Sequence, residues 1–292
     1  MHFETVARYV LYFFFFSAAG WLFESIYCSI RPGRWVNRGF LTGPLCPIYG
    51  SGALVFIIFT QPIKNHFSYP VTIAGHTIDF DFVAVFLAGL VLADIVEYSV
   101  SLIMEKLFHS RWWDYSTCFL NINGRICFKH SIYWGLSSVI FNYLIFPFVD
   151  GYFSRIPAKL VYISVAVILV IFAIDVIDAV RKALDVREFV DKVRKLREEV
   201  SDRLGTTVDA LLAMGEGEIA ELGDKIEGGR AEFNNRVEEL KTSFANLSTG
   251  LITRGAKKSR MFREFPMVES RVSEEMSNFE KLREKIRNAL KR

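Results

Sequence analysis

The sequence predicts an all-α protein, a polytopic membrane helix bundle of about five spans followed by a cytoplasmic, coiled-coil-like helical region. Three observations carry this. Five apolar stretches of spanning length lie near 6–29, 45–63, 82–108, 127–149 and 157–180. Charge is unevenly spread: 13 Lys/Arg and 11 Asp/Glu up to residue 182, then 22 and 21 in the remaining 110 positions. Beyond the last apolar stretch the hydrophobic residues fall at three-four spacing, the period of an amphipathic helix. The natural division is therefore 1–182 for the bundle and 183–292 for the charged helical part.

A helix rises 1.5 Å per residue, so about 20 residues cross a ~30 Å hydrocarbon core. The first stretch, VARYVLYFFFFSAAGWLFESIY, is too long for a signal-peptide core and has no small-residue cleavage site, so it reads as a retained helix. The third, FVAVFLAGLVLA, has no polar face, which argues against a soluble helical core. The five stretches together hold most of the 27 Phe.

Loop charges set the expected orientation. Arg31, Arg34 and Arg38 follow the first stretch, Lys106, Arg111, Arg125 and Lys129 flank the third loop, and Arg181 and Lys182 follow the fifth. The positive-inside rule places these loops and the C-terminal region in the cytoplasm, the N-terminus outside, and the protein in the plasma membrane. Cys28, Cys46, Cys118 and Cys127 then lie near the reducing face, which predicts packed thiols rather than disulfides. Their spacing contains no C-x-x-C pair, so no metal and no other cofactor is expected. Each half is nearly neutral, so there is no footprint for nucleic acid.

In the C-terminal part Val186, Phe189, Val190, Val193, Leu196, Val200, Leu204, Val208 and Leu211 form one apolar stripe. Glycines at 215, 217, 228 and 229 interrupt it, and further periodic runs cover 233–251 and 272–290. Such stripes need burial, in a folded-back hairpin or a homo-oligomer. No P-loop motif occurs, so the chain supplies no ATPase of its own.

Polar groups inside the apolar stretches point to a site. Asp94 falls about 18 Å into the third stretch, and Glu97, Ser101 and Glu105 follow on nearly the same face. A carboxylate at the centre of a span costs ~2.5–3.5 kcal/mol on insertion scales, so it faces protein, water or a cation. Glu24 lies at a similar level in the first stretch, and Asp175 and Asp178 repeat the pattern in the fifth. The segment NRGFLTGPLCPIYGSGAL, residues 37–54, carries an Arg, two prolines and four glycines at the door of the second stretch. Irregular backbone at membrane depth survives where it is buried in protein or lines a wet cavity. A re-entrant or broken segment near 37–50 is therefore expected, with Pro44 and Pro47 at a helix start and Gly50 and Gly52 admitting a close neighbour. With RWWDYS at 111–116 and NINGR at 121–125, it predicts a polar vestibule closed by the Asp94/Glu97 face. Arg38, Arg125 and Glu97, on three segments, are expected to converge there. The competing reading is that the carboxylates pair with inner-face arginines and only lock the bundle.

NRGFLTGPLCPIYGSGA and RWWDYSTCFLNINGRICFKHSIYWG, preceded by GWLFES, resemble the membrane family known as putative ABC-transporter type IV, or putative ABC-transporter permeases, over about residues 10–150. The resemblance implies a permease-like membrane protein working with a separate ATPase subunit. Its shared phrases contain Glu24, Asn37, Arg38, Gly39, Gly43, Pro44, Pro47, Tyr49, Gly50, Glu97, Trp113, Asp114, Tyr115, Asn121, Gly124 and Arg125. The substrate-binding candidates are Glu24, Asn37, Arg38, Asp94, Glu97, Arg111, Asp114 and Arg125, with the shared glycines, prolines and aromatics as framework. Three functions fit: a transport component binding a solute or lipid headgroup, a scaffold acting through its helical rod, or a membrane enzyme acting on lipid headgroups with a carboxylate as acid or base. Membrane lipids surround the bundle in all three.

Overall fold

In the computed structural model, residues 2–66, 70–73, 76–109, 111–204 and 207–225 are described, with isolated positions between 235 and 288. The chain divides into two compact units, 1–107 with 111–181, and 108–110 with 182–292.

The first unit is a helix bundle. Helix α1 (His2–Ile30) is followed by an irregular segment, then by α2 (Pro47–Val55), a π-helical turn (Phe56–Thr60) and α3 (Gln61–His66). A two-stranded hairpin, β1 (Pro70–Ile73) and β2 (His76–Asp79), leads into α4 (Asp81–Phe108). A second small hairpin, β3 (Asn121–Ile122) and β4 (Ile126–Cys127), precedes α5 (Phe128–Ile140), another π turn (Phe141–Ile145) and α6 (Phe146–Phe153). Helix α7 is continuous from Ala158 to Leu204.

Contacts fix the directions of these passes. Tyr49 lies against Gly20, and Gly50 against Ser17 and Phe13, so α2 returns antiparallel to α1. Ser131 bonds Asp94, Ser138 reaches the Val85 carbonyl and Tyr143 bonds Asp81, so α5 runs antiparallel to α4. Arg8 donates to the carbonyls of Phe153 and Ile156, and Ala7 packs on Val161 and Val165, so the starts of α1 and α7 share one end. Five passes thus alternate in direction.

Among the described residues, four helices are long and apolar enough to cross a membrane: Phe3–Ile30, Asp81–Phe108, Phe128–Phe153 and Ala158–Leu184. The second predicted stretch differs. It forms the segmented helix from Pro47 to His66, diluted by Gly50, Ser51, Gly52, Gln61, Pro62 and Lys64. Part of it is sheltered by the bundle: Gly50, Thr60 and Gln61 are buried along with Ala53, Phe56 and Ile57, while Pro62 is exposed. The core joins this helix to its neighbours through Tyr12, Phe16, Ala53, Phe56, Phe141 and Val149.

The two π turns belong to the helices that meet in this core, and Phe56 and Phe141 pack ring to ring at 5.6 Å. A π turn frees a backbone carbonyl from the regular ladder. The Asn142 carbonyl uses that freedom, accepting from Gln61 at 3.2 Å and from the Lys64 ammonium at 2.9 Å. The Asn142 amide meanwhile donates to Thr60 and to the Ser138 carbonyl. Most of these polar groups pair with one another inside an apolar wall, as buried polar groups tend to, while the Asn142 side-chain oxygen is buried without a hydrogen bond.

In the second unit α8 (Val208–Ala213) is capped by Thr207, and α9 (Glu216–Lys225) follows after one turn. Leu211 and Ile219 are fully buried. The Lys285 ammonium donates to the carbonyls of Leu212 and Met214 at the end of α8, where a cation opposes the helix dipole. The stripe expected from Val186 to Leu204 and the runs at 233–251 and 272–290 lie outside the described side chains.

Candidate functional site

The irregular segment after α1 is built by side chains reaching back into it. Asn37 accepts from the Trp21 indole at 2.6 Å and donates to the Thr42 carbonyl at 2.9 Å, closing a loop. Gly39 sits at φ +106, a conformation that favours glycine. Both oxygens of Asp175 accept backbone amides, from Thr42 and from Gly43, each at 2.9 Å, while Thr42 donates its hydroxyl to Asp178. The Cys46 amide donates to the Ser17 carbonyl, which sets the entry of α2 with Pro47 in its first turn.

This loop delivers Arg38 and Tyr49 to Glu24. The Arg38 guanidinium lies 3.5 Å from the Glu24 carboxylate, the Tyr49 hydroxyl hydrogen-bonds to it, and the Cys46 thiol approaches it at 3.8 Å. Burial first, then the charge of Glu24, pushes the Cys46 thiol well above its ordinary pKa, so it stays protonated.

A second carboxylate stands nearby on α4. Glu97 is 5% exposed and is held by neutral donors, the Trp134 indole at 2.9 Å and the Tyr115 hydroxyl at 3.2 Å. Burial, reinforced by Glu97, holds the Tyr115 phenol far above its usual pKa, so it remains a donor. The Tyr49 and Trp134 rings lie 6.2 Å apart, completing a wall between the two carboxylates. One turn before Glu97, Asp94 accepts from Ser131 at 2.6 Å, and its other oxygen is buried without a hydrogen bond.

The remaining predicted residues form a separate group. Glu105 takes both Arg125, at 2.7 Å, and Arg111, at 2.9 Å, and Arg111 also lies 3.9 Å from Asp114. The hairpin that carries Arg125 turns at Asn123 and Gly124, both with positive φ. Tyr115 N–H donates to the Gly124 carbonyl, Gly124 N–H to the Asn121 side chain, and the Trp113 indole to the Arg125 carbonyl. Asp114 caps Ser116, and that hydrogen bond, more than the nearby Arg111, holds its carboxyl below the usual range.

The expected convergence of Arg38, Arg125 and Glu97 is therefore not what the structure builds. Arg38 faces Glu24, and Arg125 faces Glu105. Glu105 is eight residues beyond Glu97, about 12 Å along the helix, and the hairpin ends at that level. The segments 37–50 and 115 do meet the Glu24/Glu97 face, whereas 111–114 and 125 group around Glu105. Sequence reasoning gave no role to Trp134, which lies nearly two turns into α5, inside the shared phrase that ends HSIYWG. It also missed His130, three residues after Cys127, a spacing that puts both on one face of a helix start. The Cys127 thiol and His130 Nδ1 are 3.0 Å apart, and His130 stacks on Tyr115 with ring centroids 4.2 Å apart.

No curated protein and no solved structure matches this chain. A family model described as putative ABC-transporter type IV matches residues 11–180. That match spans more than half of the chain and includes both carboxylates, both tyrosines and the loop that joins them, so the chain belongs to the putative ABC-transporter type IV family.

Proposed function

We propose that this chain is the membrane component of a transporter, and that Glu24 and Glu97 bind a solute carrying a positive group. The observation behind this is the charge balance. Glu24, Asp94 and Glu97 lie within one polar region, where Arg38 is the cation nearest Glu24. Glu97 is nearly buried, and the donors it meets among the described residues are an indole and a phenol. A buried carboxylate without a cationic partner is costly, and a bound cation or proton offsets that cost. Tyr49, Tyr115 and Trp134 supply aromatic faces, which suit an organic ammonium group better than a bare metal ion.

Nucleotide hydrolysis would come from a separate ATPase subunit, because the chain has no P-loop. Five passes are few for one translocation path, which favours a dimer. Orientation follows the loop arginines, with the site on the cytoplasmic side.

The test is thermal unfolding of the detergent-solubilised full-length protein against tetramethylammonium, spermidine and arginine, with acetate and glutamate as anionic controls. Stabilisation by the cations that is lost in Glu97→Gln supports the reading. Equal stabilisation by anions, or a cation effect unchanged in Glu97→Gln, overturns it.

A further inference from the structure

We infer that Cys118 and Cys127 form a redox-active dithiol, in which Cys118 is the thiol that attacks a small-molecule disulfide and Cys127 is the resolving thiol, with His130 as its proton acceptor. This is independent of whether the carboxylate site binds a solute.

The hairpin places the pair. Cys118 N–H donates to the Tyr115 carbonyl at 2.8 Å, and the Asn121 side chain donates to the Cys118 carbonyl at 3.0 Å. Asn121 is in turn the strand partner of Cys127 across the β3–β4 ladder. A single residue thus ties both cysteines, and burial together with the neighbouring Cys127 raises the Cys118 thiol above its ordinary range. Tyr115 N–H donates to the Gly124 carbonyl at the turn of the hairpin, so the loop to be bridged is already folded in the reduced state.

The two thiols differ in access and in chemistry. Cys118 is partly exposed, whereas Cys127 is 1% exposed and has His130 Nδ1 at 3.0 Å. An oxidant in solution therefore meets Cys118 first. The Cys118 thiolate attacks a disulfide RSSR, forming Cys118–S–S–R and releasing RS⁻, which takes up the proton lost from Cys118. Cys127 then gives its proton to His130, and its thiolate attacks the Cys118 sulfur. The Cys118–Cys127 bond forms, RS⁻ leaves, and it recovers the proton from His130. In sum two protein thiols are oxidised and one RSSR is reduced to two RSH, so atoms and electrons balance. A thiol close to a base is the usual arrangement for such attack.

Cys28 and Cys46 are built differently. Cys46 is buried beside Glu24, and burial first, then the charge of Glu24, opposes thiolate formation. Neither has a cysteine partner among the described contacts, so both serve as internal controls.

The experiment treats the full-length protein in membranes with oxidised glutathione, blocks free thiols with N-ethylmaleimide, and maps peptides by mass spectrometry. The expected product is a Cys118–Cys127 disulfide that dithiothreitol reverses, with Cys28 and Cys46 alkylated or unreacted. In Cys127→Ser the glutathione should stay trapped on Cys118, and in His130→Gln resolution of that adduct should slow by about tenfold or more. Stable glutathionylation of Cys118 in the wild type overturns the proposal, as does pairing through Cys28 or Cys46, or no oxidation of Cys118 at all. The wild-type product map alone decides between these, so a variant that fails to fold leaves the proposal testable.

Discussion

Asp175 on α7 holds Gly43 by its backbone: one carboxylate oxygen accepts the Gly43 amide and the other the amide of Thr42, each at 2.9 Å. A Cβ at position 43 would lie 2.7 Å from that carboxylate, so only glycine lets the amide come this close. The loop that presents Arg38 and Tyr49 to Glu24 is thus anchored by a residue more than 130 positions away in sequence.

Gly43→Ala should therefore destabilise the bundle by about 1–3 kcal/mol, the usual range for inserting a methyl group into filled space. Asp175→Ala should cost about 1–2 kcal/mol, since water replaces the acceptor at the exposed Thr42 amide but less well at Gly43. Thermal midpoints in detergent, with limited proteolysis between residues 37 and 46, check both. A wild-type cleavage pattern in Asp175→Ala would mean the clamp holds nothing.

The Glu105 group makes an asymmetric prediction. Arg125 is 9% exposed at its side chain and Glu105 32%, and Arg111 shares the same carboxylate. Glu105→Gln strands one guanidinium in a buried position and loosens another. Arg125→Gln leaves Glu105 still paired with Arg111. The first should cost about 2–3 kcal/mol and the second clearly less, discounting the buried-pair range for the exposure of Glu105. A double-mutant cycle should show coupling of about 1 kcal/mol or more between Glu105 and Arg125, and near-additivity between Glu97 and Arg125. Strong coupling in the second pair would reinstate the convergence that the sequence suggested.

That re-pairing shows where sequence reading stops. The helices were legible because apolar length and composition leave few alternatives to a membrane bundle, and FVAVFLAGLVLA in α4 is the clearest case. The polar positions were legible too: Glu24, Asp94 and Glu97 stand out because carboxylates are expensive there. Which partner each one meets was not. Arg125 goes to Glu105 because two positive-φ residues, Asn123 and Gly124, reverse the hairpin at that level, and a turn's end-point is not encoded in spacing. Trp134 donates to Glu97 from a helix whose other polar groups include serines and a histidine, and there an indole reads as packing. The segmentation of the second stretch by a π turn left no mark beyond a few polar residues near Gln61.

Acid should loosen the 114–125 hairpin through Asp114. Its folded-state carboxyl is depressed, chiefly by the Ser116 hydrogen bond. A depressed pKa contributes stability that is present above the unfolded value, ~3.9, and is lost as pH falls through the folded value. Hydrogen exchange at the Ser116 amide should therefore be slower in wild type than in Asp114→Ala at pH 6. The difference, corrected for intrinsic exchange rates, should shrink as the pH is lowered below about 4. A difference that is constant with pH would show that the carboxylate charge does not matter.

Gly50 and Gly52 look alike in the sequence, both small residues in the first turns of α2, yet they occupy opposite situations. A Cβ on Gly50 would fall 2.2 Å from the Ser17 hydroxyl and 2.4 Å from the Phe13 carbonyl, inside α1 backbone that cannot yield without separating the helices. A Cβ on Gly52 meets nothing within 4 Å. Gly50→Ala should then lower stability by about 1–3 kcal/mol through overpacking, and it should tilt Tyr49 away from Glu24. Gly52→Ala should be neutral or stabilise by up to about 1 kcal/mol, because alanine loses less backbone freedom in a helix. Paired thermal midpoints of the two variants in one detergent give the comparison. If the two lose stability equally, Gly52 is covered by something outside this chain, and a second copy in the membrane becomes the first partner to seek by crosslinking from position 52.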